Sequence, residues 1–482
     1  MPYFDRGTII LYIIQAPFRD SQNANNSLST FEVWFENDGF ELQNKLTYSE
    51  YLFKSLIQIT NSISIHDNLE IFIGSIIKYA NIHHSLFGRY DGELMMRPNE
   101  TTLSLLNVTL KSFLEREGLT TLIPVFNRIH VGAGYGYLDE VGALYGLIWV
   151  TPNFLISIGL RALGIHQDPH RSYVIRDGWE NIFNTIVREE KFDIRFNSTI
   201  KTIYRNGNDI RIEYEDRYSD HQIEKCNFLI WTPPMPELLN YLDETSTDEF
   251  ELFNPLSAHV FVSTLFKAKN TILNKPYSVY RETLDEKLDG DVNADLDIEG
   301  VLNYCDRGCS LNMSQYDETN SAEKVLFALQ LRRNMTTIEE SNGILKNHYE
   351  NGFNSTNIEI LETINWPYFF KWTPEQVANG NHWKVFDIQG KQNTWYAGAS
   401  VSFESVKSVM EYNKLLLRQF GKLQLHFAIN SLDIIANGKL ISTSINCFDN
   451  LQIDKRVVAW QQWTGATAYC LKMDPDHLTS LK

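Results

Sequence analysis

The stretch that most limits how this chain can fold is residues 387–417, DIQGKQNTWYAGASVSFESVKSVMEYNKLLL. Thr394, Trp395 and Tyr396 are good strand formers. Gly398, Ala399 and Ser400 then leave almost no side chain at a turn. Val406, Val409, Met410, Asn413, Leu416 and Leu417 follow at three- and four-residue spacing, the period of a helix. Ser402 is the expected N-cap, with Glu404 in the first turn, where negative charge suits the helix dipole. A strand, a small-residue turn and a helix bring bare backbone and a helix N-terminus to one point. The unit reads either as an ordinary strand–helix connection in an α/β sheet or as a cradle for an electron-rich ligand.

The rest of the chain is long enough to surround such a unit. Its 482 residues, 43% of them hydrophobic, can bury a large core divided between two domains. A net charge of −17 without a basic run argues against nucleic acid or anionic membranes as partners. Cys226, Cys305, Cys309, Cys447 and Cys470 are too scattered for a disulfide framework, and no second pair or His cluster completes a metal site with Cys305 and Cys309. A reduced, cytoplasmic compartment is the default. The apolar run Thr8–Pro17 is short, follows Asp5 and Arg6, and does not read as a signal peptide. The longer apolar run, 141–164, carries only Arg161 as a charge and has the length of a membrane span. Pro152, Asn153 and several glycines interrupt it, so two packed core helices are expected instead.

Helical patterns cover Tyr48–Tyr79, 101–116, 138–165, Asp177–Glu189 and 337–351. Strands are expected at Asn127–Val131, Phe192–Phe196, Thr199–Tyr204, Asp209–Tyr214, Phe228–Thr232, 259–266 and Val325–Leu331. Asn206-Gly207-Asn208 is a hairpin turn, and Pro233-Pro234 stops the strand before it. The acidic stretch 281–300 reads as a surface loop; 423–429, 432–436 and 439–445 look strand-like, and the last twenty residues show no pattern.

Gly132-Ala133-Gly134-Tyr135-Gly136-Tyr137 invites a dinucleotide reading, but position 137 is Tyr and no acidic residue follows at about twenty residues. A glycine-rich aromatic turn is expected there. Serine-elbow, Walker A and H-E-x-x-H motifs are missing from the sequence. His83, His84, His166 and His170, with Asp168 between the last two, read as surface or satisfied core residues. Trp366, Tyr368, Phe369, Phe370 and Trp372, with Trp383, Trp395 and Tyr396, read either as core packing or as an aromatic-walled pocket suited to an amine or a planar cofactor.

Four stretches together resemble the flavin-containing amine oxidoreductase family, of the amine-oxidase and polyamine-oxidase type. They are 84–90 with 135–145; Asp177-Gly178-Trp179 leading to 197–203; Phe228–Pro234; and Thr394–Ser400. The resemblance implies an α/β fold: a Rossmann-like FAD-binding domain built from discontinuous segments, plus a substrate domain of helices and a mixed sheet. The cofactor side falls at 171–255 and 376–420, and the substrate side at 81–170 and 256–375; residues 1–80 are divergent, and 421–482 form a tail without an assigned role. The family's opening βαβ unit with G-x-G-x-x-G does not occur in 1–80, and its lysine near the flavin has no match in His259–Phe266. The implied chemistry is hydride transfer from a C–N bond of an amine-type small molecule to FAD, with oxygen as acceptor. The implied cofactor contacts are Gly178, Ile200, Thr232, Pro233, Gly398, Ala399, Ser400, Phe403, Glu404, Ser405 and Val406. Trp395 and Tyr396 are the pocket-wall candidates, and no metal is implied. Two other outcomes stay open: a truncated or degenerate member without catalysis, and a flavin-dependent isomerase or desaturase acting on a lipophilic substrate.

Overall fold

The computed structural model describes residues 18–20, 31–35, 45–46, 48–162, 173–175, 178–190, 193–207, 209–269, 277–281, 292–297, 323–334, 337–353, 355–422, 457–461 and 467–471. The strand-like runs at 423–445, Thr8–Pro17, His166, Asp168, His170 and the Cys305–Cys309 pair lie outside these residues.

Helices dominate the first third. Tyr48–Thr60 and Ile65–Phe87 form the long pair, the second capped by Ser64, whose side chain accepts a bond from the Asp67 N–H. Glu100–Leu105, Leu110–Arg116, Ile123–Gly132, Ala143–Trp149 and Pro152–Ala162 follow. The break at Thr151 matches the stop and restart expected there, because proline fits the first turn of a new helix. No helix among the described residues is long and apolar enough to cross a membrane. His83 is buried, and its Nε2 lies 3.1 Å from the Leu147 carbonyl oxygen, which makes it a satisfied core histidine. Asn127–Val131, expected as a strand, is the end of Ile123–Gly132: Pro124 sits in the first turn, and buried Val125, Phe126 and Ile129 share one face at helical spacing.

The strands, numbered in chain order, are β1 Phe18–Asp20, β2 Phe31–Phe35, β3 Lys45–Leu46, β4 Tyr173–Ile175, β5 Asp193–Phe196, β6 Thr199–Asn206, β7 Asp209–Glu215, β8 His221–Cys226, β9 Phe228–Trp231, β10 Ser257–Lys269, β11 Tyr277–Arg281, β12 Val292–Asp297, β13 Glu323–Arg332, β14 Thr356–Lys371, β15 Thr394–Tyr396, β16 Val457–Gln461 and β17 Thr467–Leu471. Two larger sheets matter for the site. One is antiparallel, in the order β12-β13-β10-β14. The other runs β15-β9-β17-β16-β5, with β15 parallel to β9 and β16 parallel to β5. Strands β6, β7 and β8 form a third, antiparallel sheet, and Asn206 pairs with Asp209 across the expected hairpin.

Three expectations change here. The acidic stretch 281–300 contains β12, which among the described residues is an edge strand paired with β13, a position where charged side chains are tolerated and discourage further pairing. The C-terminal tail is structural: β16 and β17 form a hairpin inserted between β9 and β5. Cys226 is disulfide-bonded, against the reduced state expected from the cysteine pattern.

One continuous core joins the helices to both sides of the site, running from Phe72 and Tyr79 through Tyr135 and Trp231 to Trp372, Tyr396 and Phe403. In β10 the burial alternates, with Val262, Thr264, Phe266 and Ala268 inward, as a strand packed on one face requires.

Candidate functional site

The strand–turn–helix unit closes on β9. Strand β15 lies parallel to β9 with Trp395 opposite Ile230, and the Ala397 N–H donates to the Trp231 carbonyl at 2.9 Å. Gly398 has φ +95°, and a Cβ there would meet the Thr232 carbonyl oxygen at 2.8 Å, so only glycine lets the two backbones approach. A single helical turn, Ala399–Ser402, follows, and the main helix begins only at Val406. Phe403 separates them, with φ 129° and ψ 153°, a conformation that costs a bulky residue about 1–3 kcal/mol. This break moves the cap. Ser405, not Ser402, accepts from the Ser408 N–H at 3.0 Å, whereas the Ser402 hydroxyl donates back to the Gly398 carbonyl. The Ser400 hydroxyl is buried and has no hydrogen-bond partner among the described residues.

The fold therefore brings Gly398, at the head of the turn, against the Thr232 backbone at the end of β9. Gly178 heads the helix Gly178–Glu190, and Ile200 lies in β6 opposite Tyr214, each on a separate element. Val406 is exposed. Trp395 and Tyr396 are buried in β15, where Trp395 packs on Gly390 and the Tyr396 hydroxyl donates to the Glu249 carboxylate.

A different aromatic group meets the turn. Tyr135 is its centre, with ring centroids 5.0 Å from Trp149, 5.1 Å from Phe369, 5.6 Å from Phe403 and 6.0 Å from Tyr368. Phe369 and Phe403 meet edge to face at 5.6 Å. Phe369 is a second strained residue, at φ 57°. The strain has a local cause. Ser257 pairs with Lys371 and His259 with Tyr368, so β14 carries one extra residue against β10, a bulge that turns both Phe369 and Lys371 inward. The glycines of 132–137 make room for this arrangement. Gly134 lies against the Phe261 ring, and Gly136, at φ +108°, lies against His259. Those glycines serve close packing on β10.

The polar groups of the centre are two hydroxyls and a carboxyl. Burial raises the Tyr368 hydroxyl pKa first, the neighbouring Glu404 raises it further, and a hydrogen bond from Tyr135 opposes them. Burial pushes the Glu404 carboxyl up to about 7. It is therefore poised to take or hold a proton near neutrality. Among the described residues no His, Cys, Asp and Glu group could hold a metal ion.

Trp149 carried no sequence signal beyond its place in an apolar run. Tyr135, Tyr368 and Phe369 stood in noted motifs, but only the bulge and the two strained residues bring them together.

The layout defines a mixed helix-and-sheet fold in which one sheet ends at the turn and the other supplies the aromatic wall. No family model and no curated protein matches the sequence. Solved structures do share the fold. A CLA-producing fatty acid isomerase from P. acnes superposes with a TM-score of 0.63 at 18% identity, over 87% of this chain and 85% of that one. A putrescine oxidase bound to putrescine matches with a TM-score of 0.52 at 10% identity, over 87% and 86%. An oxidoreductase from Methanosarcina mazei matches with a TM-score of 0.50 at 11% identity, over 86% and 85%. At these identities the likeness establishes the fold.

Proposed function

We propose that the chain is a flavin-dependent oxidoreductase of the amine-oxidase type, acting on an amine-type small molecule. The observation that carries this reading is the aromatic centre with Glu404, built where the β15 turn meets β9. Thr232, Pro233, Gly398, Ala399, Ser400, Phe403, Glu404, Ser405 and Val406 would hold the ring end of FAD, with Gly178 and Ile200 toward its adenine. The buried, unpartnered Ser400 hydroxyl and the close backbone approach at Gly398 fit a bound group. The diphosphate end fits less well: no glycine-rich strand–helix turn accompanies the sheet among the described residues, and a hairpin occupies the position between β9 and β5. Weak FAD binding is expected.

FAD held by these residues would supply the redox chemistry, as acceptor of a hydride equivalent from a C–N bond with oxygen as the final oxidant. The chain's own part is to bind, orient and keep dry. The faces of Tyr135, Trp149 and Tyr368 attract a substrate ammonium. Glu404 takes a proton at its carboxylate in the neutral range, and the Tyr135 and Tyr368 hydroxyls fix the orientation of that side of the pocket.

Titration of FAD with the purified chain, read as a saturable shift of the flavin absorbance bands and quenching of flavin fluorescence, tests the cofactor. A flavin spectrum unchanged at excess protein overturns the reading and favours a non-catalytic member of the fold. A second reading, isomerisation of a lipophilic substrate, is favoured by the apolar helix that supplies Trp149 and by the isomerase among the fold's solved structures. Peroxide release with an amine panel supports the oxidase. A rearranged product formed from a lipophilic substrate without oxygen supports the isomerase.

A further inference from the structure

The proposed oxidoreductase chemistry makes no use of Lys407. This residue stands in the first turn of the helix Val406–Lys422, two positions past its cap at Ser405, and its side chain is only 9% exposed. A cation at that end opposes the helix dipole, and burial adds a desolvation cost, so a group outside the helix must hold it. The segment that follows the helix Ile65–Phe87 does so. The Lys407 ammonium donates to the Asp91 carbonyl at 2.6 Å and lies 3.4 Å from a Glu93 carboxylate oxygen. Asp91 has a second tie, because the Asn153 side-chain amide donates to its carboxylate at 3.0 Å. Glu93 in turn accepts from the Asp91 N–H at 2.9 Å.

The two ties to Asp91 come from the two elements that flank one edge of the aromatic centre. Asn153, in the first turn of the helix Pro152–Ala162, precedes Phe154, whose ring centroid lies 5.9 Å from Trp149. Lys407 follows Phe403 by about one turn, and the Phe403 ring lies 6.1 Å from Trp149. Tyr135, Phe369 and Phe403 are buried, whereas Trp149 and Phe154 are half-buried. The centre therefore nears solvent along the Trp149–Phe154 edge, and Asp91 is fastened to both flanks of it. The segment carrying Asp91 can pivot at its start and is anchored at its end. Gly88, at φ +64°, closes the preceding helix, and Gly92 turns at φ +82°. Met95 is buried, and its carbonyl accepts from the Trp383 indole N–H at 3.0 Å.

We infer that Lys407 is a positioning residue: it holds residues 88–94 as a strap over the Trp149 edge of the aromatic centre, and a small-molecule substrate reaches the centre when the Asp91 ties release. That the centre takes a substrate rests on the oxidoreductase reading; the strap does not. Release is local. Each tie is a hydrogen bond that water can replace at small net cost, whereas the helix before Gly88 and the anchor at Met95 are packed into the core. Hinges of this kind let a short segment move without disturbing the elements on either side.

The test uses the full chain without added flavin. Acrylamide quenching of Trp149, taken as the difference between each chain and the same chain carrying Trp149→Phe, measures access to that edge. Lys407→Met keeps the apolar stem and loses the donor. Its Trp149 quenching constant should rise about threefold, and amide exchange in residues 88–94 should quicken about tenfold while the helix Ile65–Phe87 keeps its protection. Lys407→Arg keeps a donor for the Asp91 carbonyl and should restore the wild-type values. Asn153→Ala cuts the other tie at an exposed position and should give the same changes to a smaller extent, which keeps the strap testable if Lys407→Met does not fold. Quenching and exchange that stay at wild-type values in these variants would overturn the inference. So would faster exchange spread evenly through Ile65–Phe87 and Val406–Lys422, which would make Lys407 a support of the fold alone. A strap that responds in a chain that leaves the flavin spectrum unchanged overturns the flavin reading only. A chain that binds FAD while the strap does not respond overturns the strap only.

Discussion

Glu404 and Gly136 show how single residues set the site. Glu404 keeps its proton in the folded protein because burial penalises the charged form and raises its pKa from 4.5 to about 7. The sign follows directly: its contribution favours folding fully below pH 4.5 and is lost as pH rises through about 7. Glu404→Gln cannot ionise, so between pH 4.5 and 7 the variant should gain on the wild type. The gain approaches roughly 3 kcal/mol as an upper value. Urea melts at pH 4 and pH 8 check this, and an equal difference at both would sink it. Gly136→Ala meets two obstacles, a positive φ and a Cβ that would fall 2.3 Å from His259 Nε2. A loss of about 2 kcal/mol or more is expected in thermal or urea melts. An unchanged melting curve would show that the turn is not pressed against β10.

Among elements, the junction of β6, β15 and the helix Thr247–Phe253 is the one most dependent on charge. Arg205 of β6 is 3% exposed at its side chain and donates to both carboxylate oxygens of Glu249, one at 2.8 Å. The same carboxylate accepts from the Tyr396 hydroxyl of β15 and caps its own helix through Ser246. Burial alone would raise the Glu249 pKa, but the Arg205, Tyr396 and Ser246 hydrogen bonds outweigh it and lower it to about 2. Its stabilisation is present above pH 4.5 and is lost as pH falls toward 2. Glu249→Gln leaves the Arg205 charge buried without a counterion, which should cost about 3–5 kcal/mol. Chemical denaturation at pH 7 measures it, and a cost below about 1 kcal/mol would mean that the guanidinium finds water instead. Tyr396, named from the sequence as a pocket-wall candidate with Trp395, ties β15 into this joint.

On the scale of the molecule, the β15–β5 sheet is completed from the far end of the chain. β16 and β17 stand between β9, whose end carries Thr232, and β5. A chain ending at residue 456 would leave β9 and β5 without the hairpin that bridges them, and would expose their backbone donors and acceptors. Loss of the cooperative melt and of solubility is expected. A truncated chain melting as the full one does would show that the hairpin adds nothing to the sheet.

The helical first third was readable because its apolar residues recur with one period and Pro152 marks the restart of a helix. The β6–β7 hairpin and the 394–406 unit were readable for the same local reason, since turn residues and periodicity act over a few positions. Local signals failed at Asn127–Val131, where β-branched residues imitate a strand, and at 457–471, where pairing is with distant β9 and β5. The sequence by itself determined the elements and the small-residue turn at Gly398. Only the tertiary structure decided what meets that turn. Tyr135, Trp149, Tyr368 and Phe403 come together through one extra residue in β14 and two backbone conformations held by the surrounding core. Such contacts join positions far apart in the chain, and no periodicity encodes them.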